Sequence, residues 1–137
     1  MILIDAGPLV ALINANDNHH ESCRAALEMI EEPIGTVWPA FTEAMYLLRS
    51  SWQAQRALWT MVERMTVDII DIDVDDLTRM RELMEKYRDL PMDLADAALV
   101  CVAEREKIRR IFTLDRRDFT IYRPVGVGRF SILPKSR

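Results

Sequence analysis

Cysteine is nearly absent from this chain: Cys23 and Cys101 stand far apart, and neither belongs to a CxxC pair. That argues against a disulfide framework and against a thiolate zinc site. Cys101 lies in the apolar run Ala97–Ala103, where a thiol behaves as a small buried hydrophobe. Histidine is equally scarce. His19 and His20 are adjacent ahead of a helix, so they point different ways, and the sequence has no third histidine to complete a metal site with them. Also missing are an apolar run long enough to span a bilayer and, at the MILID start, the basic flank and apolar segment of a secretory signal. The expectation is a cytoplasmic protein without membrane association. Repeats, linkers and low-complexity tracts are lacking too, so the 137 residues are expected to form one domain over 1–137, with the tail 119–137 its least defined part.

What remains is an ordinary globular composition, half hydrophobic and 29% charged, enough for a real core. The formal net charge of −4 speaks at first against a polyanionic substrate, but the charge is segregated. Residues 1–102 hold 8 Lys and Arg against 18 Asp and Glu, while 103–137 hold 10 against 4. The basic final quarter is a candidate phosphate-binding surface. It reads equally as a solvated helix end and tail, because basic residues commonly follow a helix C-terminus.

Met1–Asp5 is a short apolar run ending in an acid, and Gly7-Pro8 then opens an apolar segment to about Ile13, a strand feeding a helix. A second helix carries Cys23, Ala26, Leu27 and Ile30 at helical spacing and closes at Glu31-Glu32-Pro33. Ile34–Val37 reads as a strand. Pro39 starts a helix through Phe41, Met45, Leu48 and Trp52, followed by another through Ala54, Leu58, Met61 and Met65. Val67–Ile72 is β-branched, Asp73–Tyr87 amphipathic, Asp93–Lys107 a nearly all-apolar helix, and Arg110–Leu114 a strong strand. A Pro- and Gly-punctuated tail offers one more strand at Phe130–Leu133. Strands alternating with helices predict an α/β fold, a mainly parallel twisted sheet of four to five short strands with helices on both faces.

In such sheets ligands bind beyond the carboxyl ends of the strands. Two strands end in an acid there: Asp5 after Ile2-Leu3-Ile4, and Asp115 after Ile111–Leu114. Either alone could merely cap the next helix or turn; two on one rim are more telling. Asp96 sits in a helix whose first eleven residues, Asp93 and Asp96 apart, are apolar, with no basic residue before Arg105. An ionised carboxylate there needs a partner, and a divalent cation would serve. Asp93 follows the Pro91 break and reads as an N-cap, with Asp96 favoured by the helix dipole. Glu43 lies early in a largely apolar helix, where it either complements the helix N-terminus or joins the acids. Carboxylates without a Cys/His set point to hard, oxygen-ligated Mg²⁺ or Mn²⁺. The acids Asp71, Asp73, Asp75 and Asp76 cluster where a strand hands over to a helix and read as caps, and Trp52, Trp59, Met61 and Met65 read as core or subunit interface.

In chain order, LIDAGPLVALI, TEAMYLL, PMDLADAALV and IFTLDRRDF resemble the PIN-domain nucleases, particularly the VapC-type toxins of bacterial toxin-antitoxin pairs, from Met1 to about Phe119. The resemblance implies a single PIN-like domain and puts the family's four acids on Asp5, Glu43, Asp96 and Asp115, with Thr113 as a hydroxyl beside them. Asp93 and Asp118 match variable, often acidic flanking positions and are secondary candidates. It also implies Mg²⁺- or Mn²⁺-dependent hydrolysis of RNA to 5′-phosphate and 3′-hydroxyl ends, a cognate antitoxin and a homodimer. Arg116 and Arg117, next to Asp115 in the basic quarter, are candidate RNA phosphate contacts. Three rivals are weighed against this. A haloacid dehalogenase-like phosphatase needs a second Asp two residues after the first, where this chain has Gly7. A phosphoacceptor receiver expects an acidic pair by the first strand and a late Lys. The third is a Mg²⁺-binding interaction or signalling module without nuclease activity, for instance an inhibitory partner with a vestigial site, and the intact acids speak against it.

Overall fold

The computed structural model of the protein describes residues 1–136. Strands β1 (Ile2–Ile4), β2 (Ile34–Thr36), β3 (Asp68–Ile69), β4 (Arg110–Phe112) and β5 (Ser131–Leu133) form one sheet in the order β3-β2-β1-β4-β5. Every pairing is parallel. The tail therefore supplies an edge strand, as the Phe130–Leu133 pattern suggests. Chain order runs outward from β1 in one direction through β2 and β3, and in the other through β4 and β5, so the sheet reverses its winding between β1 and β4. Such a switch point opens a crevice at the carboxyl ends of the two strands.

Helices α1 (Ala6–Ile13), α2 (His20–Glu28), α3 (Trp38–Leu47), α4 (Trp52–Glu63), α5 (Leu77–Lys86), α6 (Leu94–Glu106) and α7 (Arg116–Ile121) cover both faces. Strand pleating divides the core: Leu3 and Ile111 point into one cluster with α5, α6 and Tyr122, whereas Ile2, Ile4 and Phe112 point into the other with α1, Cys23 and Leu58. Helix α6 has no polar stripe because the whole of Ala95–Ala103 is buried, and it ends at Lys107 in the left-handed conformation. Its reading as a nearly all-apolar helix holds, as does Cys101 as a buried thiol. No described helix is long and apolar enough to cross a membrane.

Two details differ from the sequence reading. Residues 116–121 form helix α7, where sequence indicates only a punctuated tail; RRDFTI is too short to display an apolar period. The Trp52 position belongs to α4 rather than to the helix before it, since Ser51 accepts from the Ala54 amide and so starts a new helix.

Candidate active site

Three helix starts meet at the switch point. Parallel connectivity returns each chain segment to the carboxyl rim, so α1 begins beside the end of β1, α6 begins on the same rim before descending to β4, and α7 begins just after β4. Each start is capped by an aspartate. Asp5 Oδ1 accepts from the Ala6 amide at 2.8 Å, Asp93 Oδ1 from the Asp96 amide at 2.8 Å, and Asp115 Oδ1 from the Asp118 amide at 3.3 Å. Capping and clustering are thus one arrangement, with the three positive helix ends tolerating acids that would otherwise repel.

Asp5 is buried and rigidly held. Its backbone amide donates to the Phe112 carbonyl at 2.9 Å, and the fully buried Thr113 donates its hydroxyl to Asp5 Oδ2 at 3.0 Å while accepting from the Asp115 amide at 3.0 Å. One threonine therefore ties the ends of β1 and β4 together and sets two acids at once. Burial raises the Asp5 pKa most, against the bonds from Ala6 and Thr113, with Asp93 and Asp115 raising it further. Asp96, also buried, accepts from the phenol of Tyr122 at 2.8 Å. Burial first, then the charge of Asp5, pushes Asp96 up to about 8. Arg105, the first basic residue along α6, is engaged with Asp76 and is no partner for Asp96.

Carboxylate oxygens of Asp96, Asp115 and Asp118 lie within 4.8 Å of one another. Asp5 and Asp93 stand outside that triplet but act electrostatically on its members. Glu43, exposed on the second turn of α3, is shifted upward by partial desolvation and then by Asp5 and Asp93. Asp118 is raised by desolvation first and then by Asp115, with Arg117 opposing. Of the two basic candidates, Arg117 is exposed beside this cluster, whereas Arg116 is half-buried and donates to the Pro134 carbonyl at 2.6 Å.

A PIN domain family model matches residues 2–123. The chain belongs to the PIN domain family. Among curated relatives, ribonuclease VapC26 of Mycobacterium tuberculosis is 27% identical over 135 residues, covering 97% of this chain and all of that protein. Mycobacterium tuberculosis VapC20, a sarcin-ricin loop cleaving toxin, superposes with a TM-score of 0.79 at 19% identity, over 85% of this PIN domain and 92% of that chain. A toxin-antitoxin complex from Klebsiella pneumoniae gives 0.68 at 20% identity, over 87% and 90%. VapBC2 from Rickettsia felis, bound to a DNA fragment from their promoter, gives 0.67 at 16% identity, over 96% and 98%.

Tyr122 is the site residue that sequence reading missed. It is fully buried against Tyr87 and Phe119 and caps the end of α7, so it joins the helix carrying Asp118 to the helix carrying Asp96. Burial and then the Asp96 bond raise its own pKa far above the phenolic value, so it stays a hydrogen-bond donor. A single tyrosine beyond a strand carries no pattern that could have announced this role.

Proposed function

We propose that this PIN domain is a Mg²⁺- or Mn²⁺-dependent endoribonuclease, the toxin of a toxin-antitoxin pair, acting in the cytoplasm. The observation that carries the reading is the uncompensated acid cluster at the switch point of a PIN domain. Its donor set fits a hard cation: three carboxylates from two elements converge, with no thiolate or imidazole among them. Asp96, Asp115 and Asp118 would hold the ion with Asp5 adjoining. When bound, such an ion makes water more acidic and neutralises phosphate charge.

The chain's own residues account for the rest of the chemistry. Thr113 and the Ala6 amide fix the Asp5 carboxylate, and Tyr122 fixes that of Asp96, so little reorganisation is needed when RNA arrives. Glu43, with its raised pKa, is suited to orient the attacking water and accept its proton. No side chain needs to act as the nucleophile. Arg117 would hold a phosphate beside the cluster, while Arg116, fastened to Pro134, would shape that wall.

Partners follow from a second surface. Leu47, Trp52 and Met65 are exposed on the α3–α4 region, and a groove between the end of α1 and α4 is lined by Ile13, Leu48, Ala54 and Ala57. This surface, apolar side chains around a groove that also presents Asn14, Ser50, Ser51 and Gln53, suits an antitoxin segment and a second copy of the chain. Incubating labelled RNA with the purified protein, with Mn²⁺ or EDTA and with Asp5→Asn, tests the activity. Cleavage should need both the ion and Asp5; cleavage unaffected by either would refute the assignment, and a monomeric mass with no host partner would refute the assembly.

A further inference from the structure

Two threonines, Thr36 and Thr113, are buried without any exposure, and both turn their hydroxyls to the end of β1. A buried hydroxyl costs free energy unless it is partnered, and a valine would fill the same space with no such need. Thr113 serves the Asp5 carboxylate, as described above. Thr36, the last residue of β2, instead donates to the Ile4 carbonyl at 2.7 Å, the peptide oxygen immediately ahead of Asp5.

This bond falls where the β1–β2 pairing stops. Towards β4 the pairing of β1 runs through Ile4, whereas towards β2 it ends at Leu3. A continuing ladder would bring a backbone amide to the Ile4 carbonyl, and the Thr36 hydroxyl stands in its place. The Ile4–Asp5 peptide is thus gripped on both edges, its N–H by the Phe112 carbonyl at 2.9 Å and its C=O by Thr36. Thr36 is itself anchored, because its own carbonyl accepts from the Ile70 amide at 2.8 Å. Two residues later α3 begins, and its N-cap residue Val37 supplies no side-chain cap. The Thr36 hydroxyl therefore ties the peptide that carries Asp5 to the strand that delivers Glu43.

We infer that Thr36 is a positioning residue of the acid site: its hydroxyl fixes the Ile4–Asp5 peptide against β2 and so sets the Asp5 carboxylate relative to Glu43 on α3. The inference rests on the nuclease reading and adds to it a residue that touches neither ion nor RNA. Its test compares Thr36→Val, which keeps the shape and removes the hydroxyl, with Thr36→Ser, which keeps the hydroxyl. Ile34→Val, a trim of the buried start of the same strand, is the control for lost packing. Each protein is read by kcat and KM on RNA, by Mn²⁺ titration and by denaturant unfolding in EDTA. Thr36→Val should lower kcat by roughly 10- to 100-fold, the scale of losing a group that orients a site residue, with KM changed much less. Its Mn²⁺ affinity should fall as well. Thr36→Ser should recover most of both, and Ile34→Val should lower stability alone. Wild-type kcat and Mn²⁺ affinity in Thr36→Val, a loss that Ile34→Val shares in proportion to stability, or a Thr36→Ser variant as impaired as Thr36→Val overturns the role. If Thr36→Val does not fold, Thr36→Cys, whose thiol fills a similar space and donates only weakly, takes its place under the same criteria. A wild type that neither cuts RNA nor binds Mn²⁺ fails the nuclease reading itself, whereas cutting that depends on Asp5 but not on Thr36 fails only the positioning role.

Discussion

Asp76 and Asp96 are exposed to the same small extent, 7% and 8%, yet their surroundings are opposite in sign. Asp76 receives the Arg105 guanidinium and closes a capping box with Asp73, and nearby Arg79 grips Glu104 through bonds of 2.7 and 2.8 Å. Burial alone would raise Glu104, but the Arg79 bonds, the Val125 amide and the charges of Arg79 and Lys86 together bring it below its usual value. Asp96 receives one neutral phenol and faces Asp5, Asp93 and Asp115. Equal burial therefore hides a difference in charge environment: Asp76 has a built-in cation and Asp96 has none. The α5–α6 acids are matched by arginines of their own, whereas Asp96 meets only a phenol and other acids.

The contrast breaks most visibly under charge removal. Asp96→Asn should lower RNA cleavage by roughly 100-fold or more while leaving melting in EDTA equal or higher, since it spares the fold the cost of ionising a buried acid. Asp76→Asn should do the reverse, keeping cleavage and losing about 1–3 kcal/mol by stranding Arg105 and the cap. Parallel denaturant unfolding and cleavage assays separate the two.

Next in size is a pH effect on the ion-free fold. Burial and Asp5 hold Asp96 at about 8, above an unfolded value of roughly 3.9. The folded state therefore retains a proton that the unfolded state releases, and this stabilisation, full below the unfolded value, is lost as pH rises through the folded one. Stability in EDTA should decline between those limits, and Asp96→Asn should flatten the decline. An equal slope in both proteins would place the shifted group elsewhere.

Tyr122→Phe sharpens the comparison by removing the one donor on Asp96. Mn²⁺ affinity should fall about 10-fold, with a stability loss of about 1 kcal/mol; a Mn²⁺ titration unchanged from wild type would make Tyr122 a packing residue only. The smallest effect belongs to Arg117→Gln, which should reduce the salt slope of RNA binding by about one unit. An unchanged slope would leave the basic quarter a solvated surface.

Much of this was legible in the sequence because it depended on local pattern. Asp5 and Asp115 announce themselves at the ends of apolar strands, and Asp96 as an acid inside an apolar helix. Those features predict one rim without the strand order. What was illegible depends on tertiary approach. Helix α7 is only six residues long, and its Tyr122 acquires meaning from a bond to a residue 26 positions earlier. The capping role of Asp93 was readable, but that Asp5 and Asp115 cap as well as cluster was not, because one residue type serves both. The basic quarter reads equally as a phosphate-binding surface and as a solvated tail; among the described residues Arg105, Arg110 and Arg116 bind protein groups, and Arg117 acts on the rim acid Asp118.

The central claim is that Asp96 has no cationic side chain against it and Asp76 has one. Melting of wild type, Asp96→Asn and Asp76→Asn with and without Mn²⁺ tests it most directly, because an ion bound only by the native site stabilises by about 2.7 kcal/mol at a hundred times its dissociation constant. Wild type and Asp76→Asn should both gain stability from Mn²⁺, and Asp96→Asn should gain little. A wild type indifferent to Mn²⁺, or an Asp96→Asn variant that gains as much as wild type, would contradict the account.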